Sequence, residues 1–207
     1  MYSNAIVYVV DDADGIRHSL TLLLQSVKIK VKSCASAQEF FDVYDPSKPA
    51  CLVLDIRMPE MSGLELQGKL VEENIHIPVI IITGHGDVSL AVRAMKAGAV
   101  DFIEKPFNDQ LLLDSISSAL DKSVELFEEQ HECADFHERI GRLSPREQEV
   151  MDLLVEGKGA KEIAALLGIS SKTVDVHRGH ILEKTQMRSV PELVRLVISH
   201  SDHAASC

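Results

Sequence analysis

Apolar positions in the first 107 residues gather into short unbroken runs, and the stretches between them have helical spacing. Ala5-Ile6-Val7-Tyr8-Val9-Val10, Cys51-Leu52-Val53-Leu54 and Val79-Ile80-Ile81-Ile82 are the clearest runs, each followed by polar turn residues. Such runs read as strands buried on both faces of a parallel sheet. The pattern predicts strands near 5–10, 30–33, 50–54, 78–82 and 101–103, with helices near 14–27, 36–45, 62–73, 86–98 and from 107 onward. Strand and helix in alternation give an α/β fold, a doubly wound five-stranded parallel sheet. Ser36/Glu39 and Ser62/Glu65 have the spacing of capping boxes, in which serine accepts from the third helical N–H and glutamate reaches back. Gly98 closes the helix that holds Leu90, Met95 and Ala97.

From Asn108 to about His137 the chain has neither Pro nor Gly, and Leu112, Ile116, Ala119, Leu120, Val124 and Phe127 follow helical spacing. One long helix is expected. Its later part is acidic, in Glu125, Glu128, Glu129, Glu132 and Asp135, so a disordered tether over 126–142 is the alternative. The remainder is helical in pattern. Leu143-Ser144-Pro145-Arg146-Glu147 is a capping box with Pro at the first helical position, and Gly157 ends that helix. A short helix over Ala160 to Leu167, a turn at Gly168 and a helix from Lys172 to Thr185 make a helix-turn-helix. Ser189/Glu192 opens a fourth helix with Leu193, Leu196 and Val197 inward, and the polar tail 199–207 is expected to fray. The division is a first domain over 1–125, a helical linker over 126–142 and an all-α four-helix domain over 143–200.

Length changes this picture little, since 207 residues suit two domains. Charge changes it more: 11 basic residues against 18 acidic over 1–125, 2 against 5 over 126–142, and 8 against 9 over 143–207. An acidic chain disfavours nonspecific nucleic-acid binding, so any DNA contact needs a local basic face in the last third. Met1-Tyr2-Ser3-Asn4 lacks the basic start of a signal peptide, and no stretch approaches the ~18 apolar residues of a membrane span. The four cysteines, Cys34, Cys51, Cys133 and Cys207, are scattered, which speaks against a disulfide framework or zinc site and for a reducing cytoplasm.

The strand ends carry the chemistry. One run ends in Asp11-Asp12, another in Asp55, another in Thr83-Gly84, and Asp101-Phe102-Ile103-Glu104 leads into Lys105-Pro106. Open α/β sheets place their ligands at the carboxyl ends of strands, so three carboxylates and a hydroxyl converge on one rim. Crowded carboxylates repel, which calls for a hard divalent cation, Mg²⁺ fitting best, and a nearby lysine. Any one Asp alone is as readily a cap or turn residue; the ordered set with Thr83 and Lys105 points to a site.

Asp11-Asp12, Asp55, Thr83-Gly84, Lys105-Pro106 and the terminal helix-turn-helix resemble a two-component response regulator with a receiver domain and a LuxR-type DNA-binding domain. Thr83-Gly84-His85-Gly86-Asp87 and Met95-Lys96-Ala97-Gly98-Ala99-Val100-Asp101-Phe102 are similar to the FixJ-like branch. The resemblance implies that Asp55 accepts a phosphoryl group from a sensor histidine kinase or a small phosphodonor. It implies Mg²⁺ on Asp12, Asp55 and the Arg57 carbonyl, with Asp11 acting through water. Lys105 would pair with the phosphoryl group beside a cis Lys105–Pro106 bond, while Thr83 and Phe102 switch the face of the fourth helix and fifth strand. Arg57 and His85 would set how fast the phosphoryl group is lost, though His85 equally suits a solvated loop. Self-phosphorylation and slow autodephosphorylation are the only catalysis implied.

In the last domain the resemblance implies a recognition helix presenting Lys172, Thr173, Val176, His177, Gly179 and His180, with Val174 and Ile181 inward. Arg178, Lys184 and Arg188 are candidates for phosphate or base contacts to double-stranded operator DNA. Some relatives carry basic residues where this chain has Asp175 and Gly179. Asp175 suits either a cytosine amino group or the helix dipole, and His177 either an exposed or a half-buried place. Val92, Lys96 and Asp101 form the expected face of a phosphorylation-dependent homodimer, and RNA polymerase is a further implied partner. Two rivals from other classes are a Mg²⁺-dependent phosphohydrolase, for which residues 1–107 leave no room for a lid, and a phosphorylated adaptor that does not touch DNA.

Overall fold

The computed structural model describes residues 4–84 and 88–204, with the side chains of Gln130 and 199–204 outside the description. The expectations for His85, Gly86 and Asp87 and for the end of the tail lie outside the described residues. Five parallel strands, β1 (Ile6–Val10), β2 (Lys30–Cys34), β3 (Ala50–Asp55), β4 (Val79–Thr83) and β5 (Asp101–Glu104), form one sheet in the order β2-β1-β3-β4-β5. The order reverses between β1 and β3, the switch point at which such sheets open a crevice.

Alternation along the strands divides the core. Tyr8, Val10, Leu52, Leu54 and Ile81 pack on one face with Phe40 of α2 (Ala37–Val43), Leu66 and Leu70 of α3 (Gly63–Glu72) and Ala94 of α4 (Val88–Lys96). Val7, Val9, Cys51, Val53, Ile80 and Ile82 face Leu20 and Leu24 of α1 (Asp14–Ser26) and Leu112, Ile116 and Leu120 of α5 (Asp109–Gly141). Burial on both faces is why these strands read as continuous apolar runs. Buried Gln67 ties α3 to the end of α4, its amide nitrogen donating to the carbonyls of Ala94 and Ala97 at 3.2 and 3.1 Å.

Capping follows the expected spacing with one consistent difference. Ser62/Glu65 and Ser144/Glu147 close both halves of the box. Ser36 accepts from Glu39 N–H, but the Glu39 carboxylate takes the N–H of Ala35 at 2.6 Å rather than that of Ser36. Ser189/Glu192 behaves alike, Glu192 accepting from the Arg188 N–H at 2.8 Å. Glutamate therefore reaches one residue further out at these two helix starts.

The chain divides into two compact units, 1–128 and 129–207. The second contains the end of α5, then α6 (Pro145–Val155), α7 (Ala160–Leu167), α8 (Ser171–Thr185) and α9 (Val190–Ala204). Among the described residues the segment 126–141 is helical throughout. It is also more than a linker, because Phe136, 3% exposed, and Ile140 pack into the same core as Val150, Met151, Ile163, Val174, Ile181 and Leu193. Helix α9 runs on to Ala204, further than the expected fraying point. Between α7 and α8, Gly168 takes φ +66°, a left-handed value that favours glycine and turns the chain. No helix among the described residues is long and apolar enough to cross a membrane.

Candidate functional site

Strand register brings the expected acidic residues together. Val10 pairs with Leu54, which places Asp11 beside Asp55, and β4 ends at buried Thr83 on the other side of β3. Asp11 and Asp55 are 1% and 6% exposed, so both carboxylates need partners. Lys105 supplies one to each, its Nζ lying 2.6 Å from Asp11 Oδ2 and 2.7 Å from Asp55 Oδ1. The remaining oxygens accept backbone N–H groups: Ala13 on Asp11 Oδ1 at 2.9 Å, and Arg57 on Asp55 Oδ2 at 2.6 Å. Burial disfavours the Lys105 ammonium, yet the bonds to Asp11 and Asp55 outweigh it and raise its pKa. The Lys105–Pro106 bond is cis, as the resemblance implies.

Gly63 makes this geometry possible at the start of α3. A Cβ there would stand 2.2 Å from the Asp55 carbonyl oxygen, so only glycine lets the helix approach. Asp12 is exposed and does not join the Lys105 pair; with the Arg57 side chain it lines a cavity of about 770 Å³. The donors are all hard oxygens, which suits Mg²⁺ chemically. Among the described residues no three acidic, histidine or cysteine side chains are gathered closely enough to hold a metal alone. Carbonyl and water ligands must therefore complete any Mg²⁺ shell, as this cation prefers. Phe102 is half-buried against the face covered by α2, α3 and α4, and pairs in register with Ile81.

Recognition-helix residues are placed less uniformly. Lys172, Val176, Gly179, His180 and Arg188 are exposed on or just after α8, while Val174 and Ile181 are buried. Arg178 lies 3.4 Å from Asp175, and the Thr173 hydroxyl contacts Ser170 Oγ at 2.8 Å. His177 is half-buried, its Nδ1 enclosed without a hydrogen-bond partner. Lys184, expected as a DNA contact, has its Nζ 2.6 Å from Oε2 of Glu147, a carboxylate buried on α6. A phosphate would have to compete with this carboxylate for the Lys184 ammonium. Sequence reasoning saw Glu147 only as a cap; its second role depends on a contact 37 residues away.

The Lys184 bond, with those from Ser144, holds the Glu147 carboxyl down to about 2 despite burial, which acts upward. A depressed folded pKa stabilises above the unfolded value of 4.5 and loses that contribution as pH falls toward 2. Glu147→Gln is therefore expected to lower stability at pH 7 by roughly 1–3 kcal/mol, discounted for the exposure of Lys184. Chemical unfolding between pH 7 and 3 checks this. A difference from the parent chain that is unchanged across that range would remove the ion pair as its cause.

Comparison with known proteins gives two family matches, a response regulator receiver domain over residues 7–117 and the luxR family of bacterial regulatory proteins over 141–197. Nodulation protein W of Bradyrhizobium diazoefficiens is 46% identical over 94% of this chain and 86% of its own length. The transcriptional regulatory protein FixJ of Azorhizobium caulinodans is 44% identical over 93% and 91%. Among solved structures, the response regulator StyR superposes with a TM-score of 0.84 at 41% identity, over 95% of this chain and 99% of that one. Full-length FixJ from B. japonicum gives 0.57 at 39% identity, over 97% and 98%.

Proposed function

Since the chain belongs to the response regulators, a receiver domain joined to a LuxR-type DNA-binding domain in a transcription factor of a two-component system, we propose that phosphorylation of Asp55 by a sensor histidine kinase controls its binding to operator DNA. The observation that carries this is the Lys105 ammonium held between Asp11 and Asp55 at the carboxyl edge of the sheet. A buried carboxylate beside a positioned cation can attack phosphorus while the cation compensates charge on the phosphoryl oxygens. Asp55 attacks the phosphohistidine phosphorus, the P–N bond breaks, and Lys105 moves from the Asp55 oxygen to the incoming phosphoryl group. Asp11, Asp12, Asp55 and the Arg57 carbonyl would hold Mg²⁺, which when bound supplies further neutralisation of the phosphoryl oxygens. Thr83 then donates its hydroxyl to a phosphoryl oxygen and Phe102 turns inward, biasing two states of the α4–β5 face. The protein acts on itself in this way in a cytoplasm shared with its kinase and with RNA polymerase.

Fluorescence anisotropy on operator DNA tests the proposal. Acetyl phosphate with Mg²⁺ is expected to tighten binding by the parent chain and not by Asp55→Asn; equal tightening of both removes Asp55 from control. In the same assay Arg178→Ala is expected to cost about 1–3 kcal/mol if Arg178 reads a base, or to lower the salt slope by about 1 if it holds a phosphate. Lys172 and Arg188 remain the other cationic DNA contacts, with Thr173, Val176 and His177 on the same helix.

Val88, Val92 and Met95 follow one another at helical spacing on α4, with 78%, 47% and 47% of their surfaces exposed. That unpaired stripe supports a two-fold interface including Lys96 and Asp101. Asp101 already accepts from the Ser115 hydroxyl and from the Phe102 N–H, so it enters such an interface with its carboxylate oriented. Light scattering is expected to find a monomer that dimerises on phosphorylation, and Val92→Asp is expected to abolish the dimer. Dimerisation of that variant at parent strength would move the interface elsewhere.

A further inference from the structure

We propose that the cavity beside Asp55 makes the receiver selective for acyl phosphates among small phosphodonors, with Arg93 binding the carboxylate that leaves. The inference rests on Asp55 being the phosphoryl acceptor. Asp12 and Arg57 line the cavity at the acidic rim, Met58, Leu64 and Leu90 give it an apolar wall, and Arg93 lines it from α4. Neither Arg57 nor Arg93 forms an ion pair among the described residues, although ten such pairs are formed elsewhere. Of the two carboxylates lining the cavity, Glu65 is occupied with the Ser62 N–H at 2.8 Å and the Ser62 hydroxyl at 2.7 Å. Two guanidinium groups beside hydrocarbon, without an ion pair among the described residues, suit a small organic anion, and their planar forks match a carboxylate.

That anion arises in the reaction itself. When Asp55 attacks an acyl phosphate, an oxygen–phosphorus bond forms and the bond from phosphorus to the acyl oxygen breaks. Its electron pair departs on a carboxylate, which needs no proton. A cation near that oxygen is worth more as negative charge develops there than in the ground state, so it raises the rate rather than merely the affinity. Phosphoramidate differs at this point, because its phosphorus–nitrogen bond breaks to an amine that takes up a proton. A guanidinium gives no such help to a leaving group that acquires no negative charge. Arg93 therefore separates the two donors, while Lys105 serves the phosphoryl group common to both.

Rates of covalent labelling of the full chain, followed by intact mass with acetyl phosphate or phosphoramidate in excess Mg²⁺, test this as a ratio. Arg93→Gln is expected to lower the preference for acetyl phosphate roughly 5- to 10-fold, less than for an enclosed oxyanion donor because Arg93 is solvated. Arg93→Lys is expected to restore part of it, since charge is kept and the fork is lost. A ratio unchanged in Arg93→Gln, whether both rates fall together or neither falls, overturns the assignment while leaving Asp55 as acceptor. Label persisting in Asp55→Asn from either donor overturns the parent reading, and this one with it.

Discussion

Asp55→Asn is expected to take up no phosphoryl group from acetyl phosphate and Mg²⁺, where the parent chain gains the mass of about one. The substitution keeps the shape at the end of β3 and leaves an oxygen able to accept the Arg57 N–H. It removes the negative charge that makes the side chain a nucleophile and that Lys105 balances. Loss of the label is therefore chemical rather than a failure to fold, and an unchanged far-ultraviolet circular dichroism spectrum separates the two. Label appearing on Asp11 or Asp12 in the variant would falsify sole acceptance by Asp55.

Phe136→Ala is expected to destabilise the DNA-binding unit by about 3–5 kcal/mol, the usual cost of emptying the space of a buried aromatic ring. Phe136 is 3% exposed and shares a core with Val150, Ile163 and Val174. Domains of this size are stable by about 5–15 kcal/mol, so the loss takes a large part of the total. A fragment beginning at Arg142 lacks both Phe136 and Ile140 and should melt well below one beginning at Glu129. Urea unfolding of the two fragments checks this. Equal midpoints would mean that the end of α5 adds nothing to the core.

The acidic rim of the sheet is legible in the chain because its signals are local. Four residues of continuous apolar character before Asp55 need two covered sheet faces, and parallel strands send their ends to one rim; Asp11, Asp55 and Thr83 follow from that rule alone. The position of Lys105 after β5 puts it near the rim, though only the folded side-chain geometry shows that it bridges both carboxylates. Contacts across sequence distance are the part that pattern does not carry. Glu147 satisfies a capping box whether or not Lys184 reaches it, so the local signal was complete before the more consequential partner was counted. Around Phe136 the surrounding Glu and Asp residues gave the segment the composition of a solvated linker, and one aromatic side chain outweighs them once an apolar core stands beside it. Asp12 shows the converse: adjacent to Asp11 in the chain, it lies in the bend after β1 and is exposed where Asp11 is buried.

The four oxygens of Asp11 and Asp55 each accept a strong hydrogen bond in the resting molecule, two from one ammonium and two from backbone N–H groups. Bonds of this kind draw electron density from a carboxylate and blunt its reactivity toward stray electrophiles. On the proposed reading, attack by Asp55 therefore requires Lys105 to shift from the Asp55 oxygen to the incoming group. The contacts that keep two buried charges tolerable are thus the ones that the proposed transfer has to exchange.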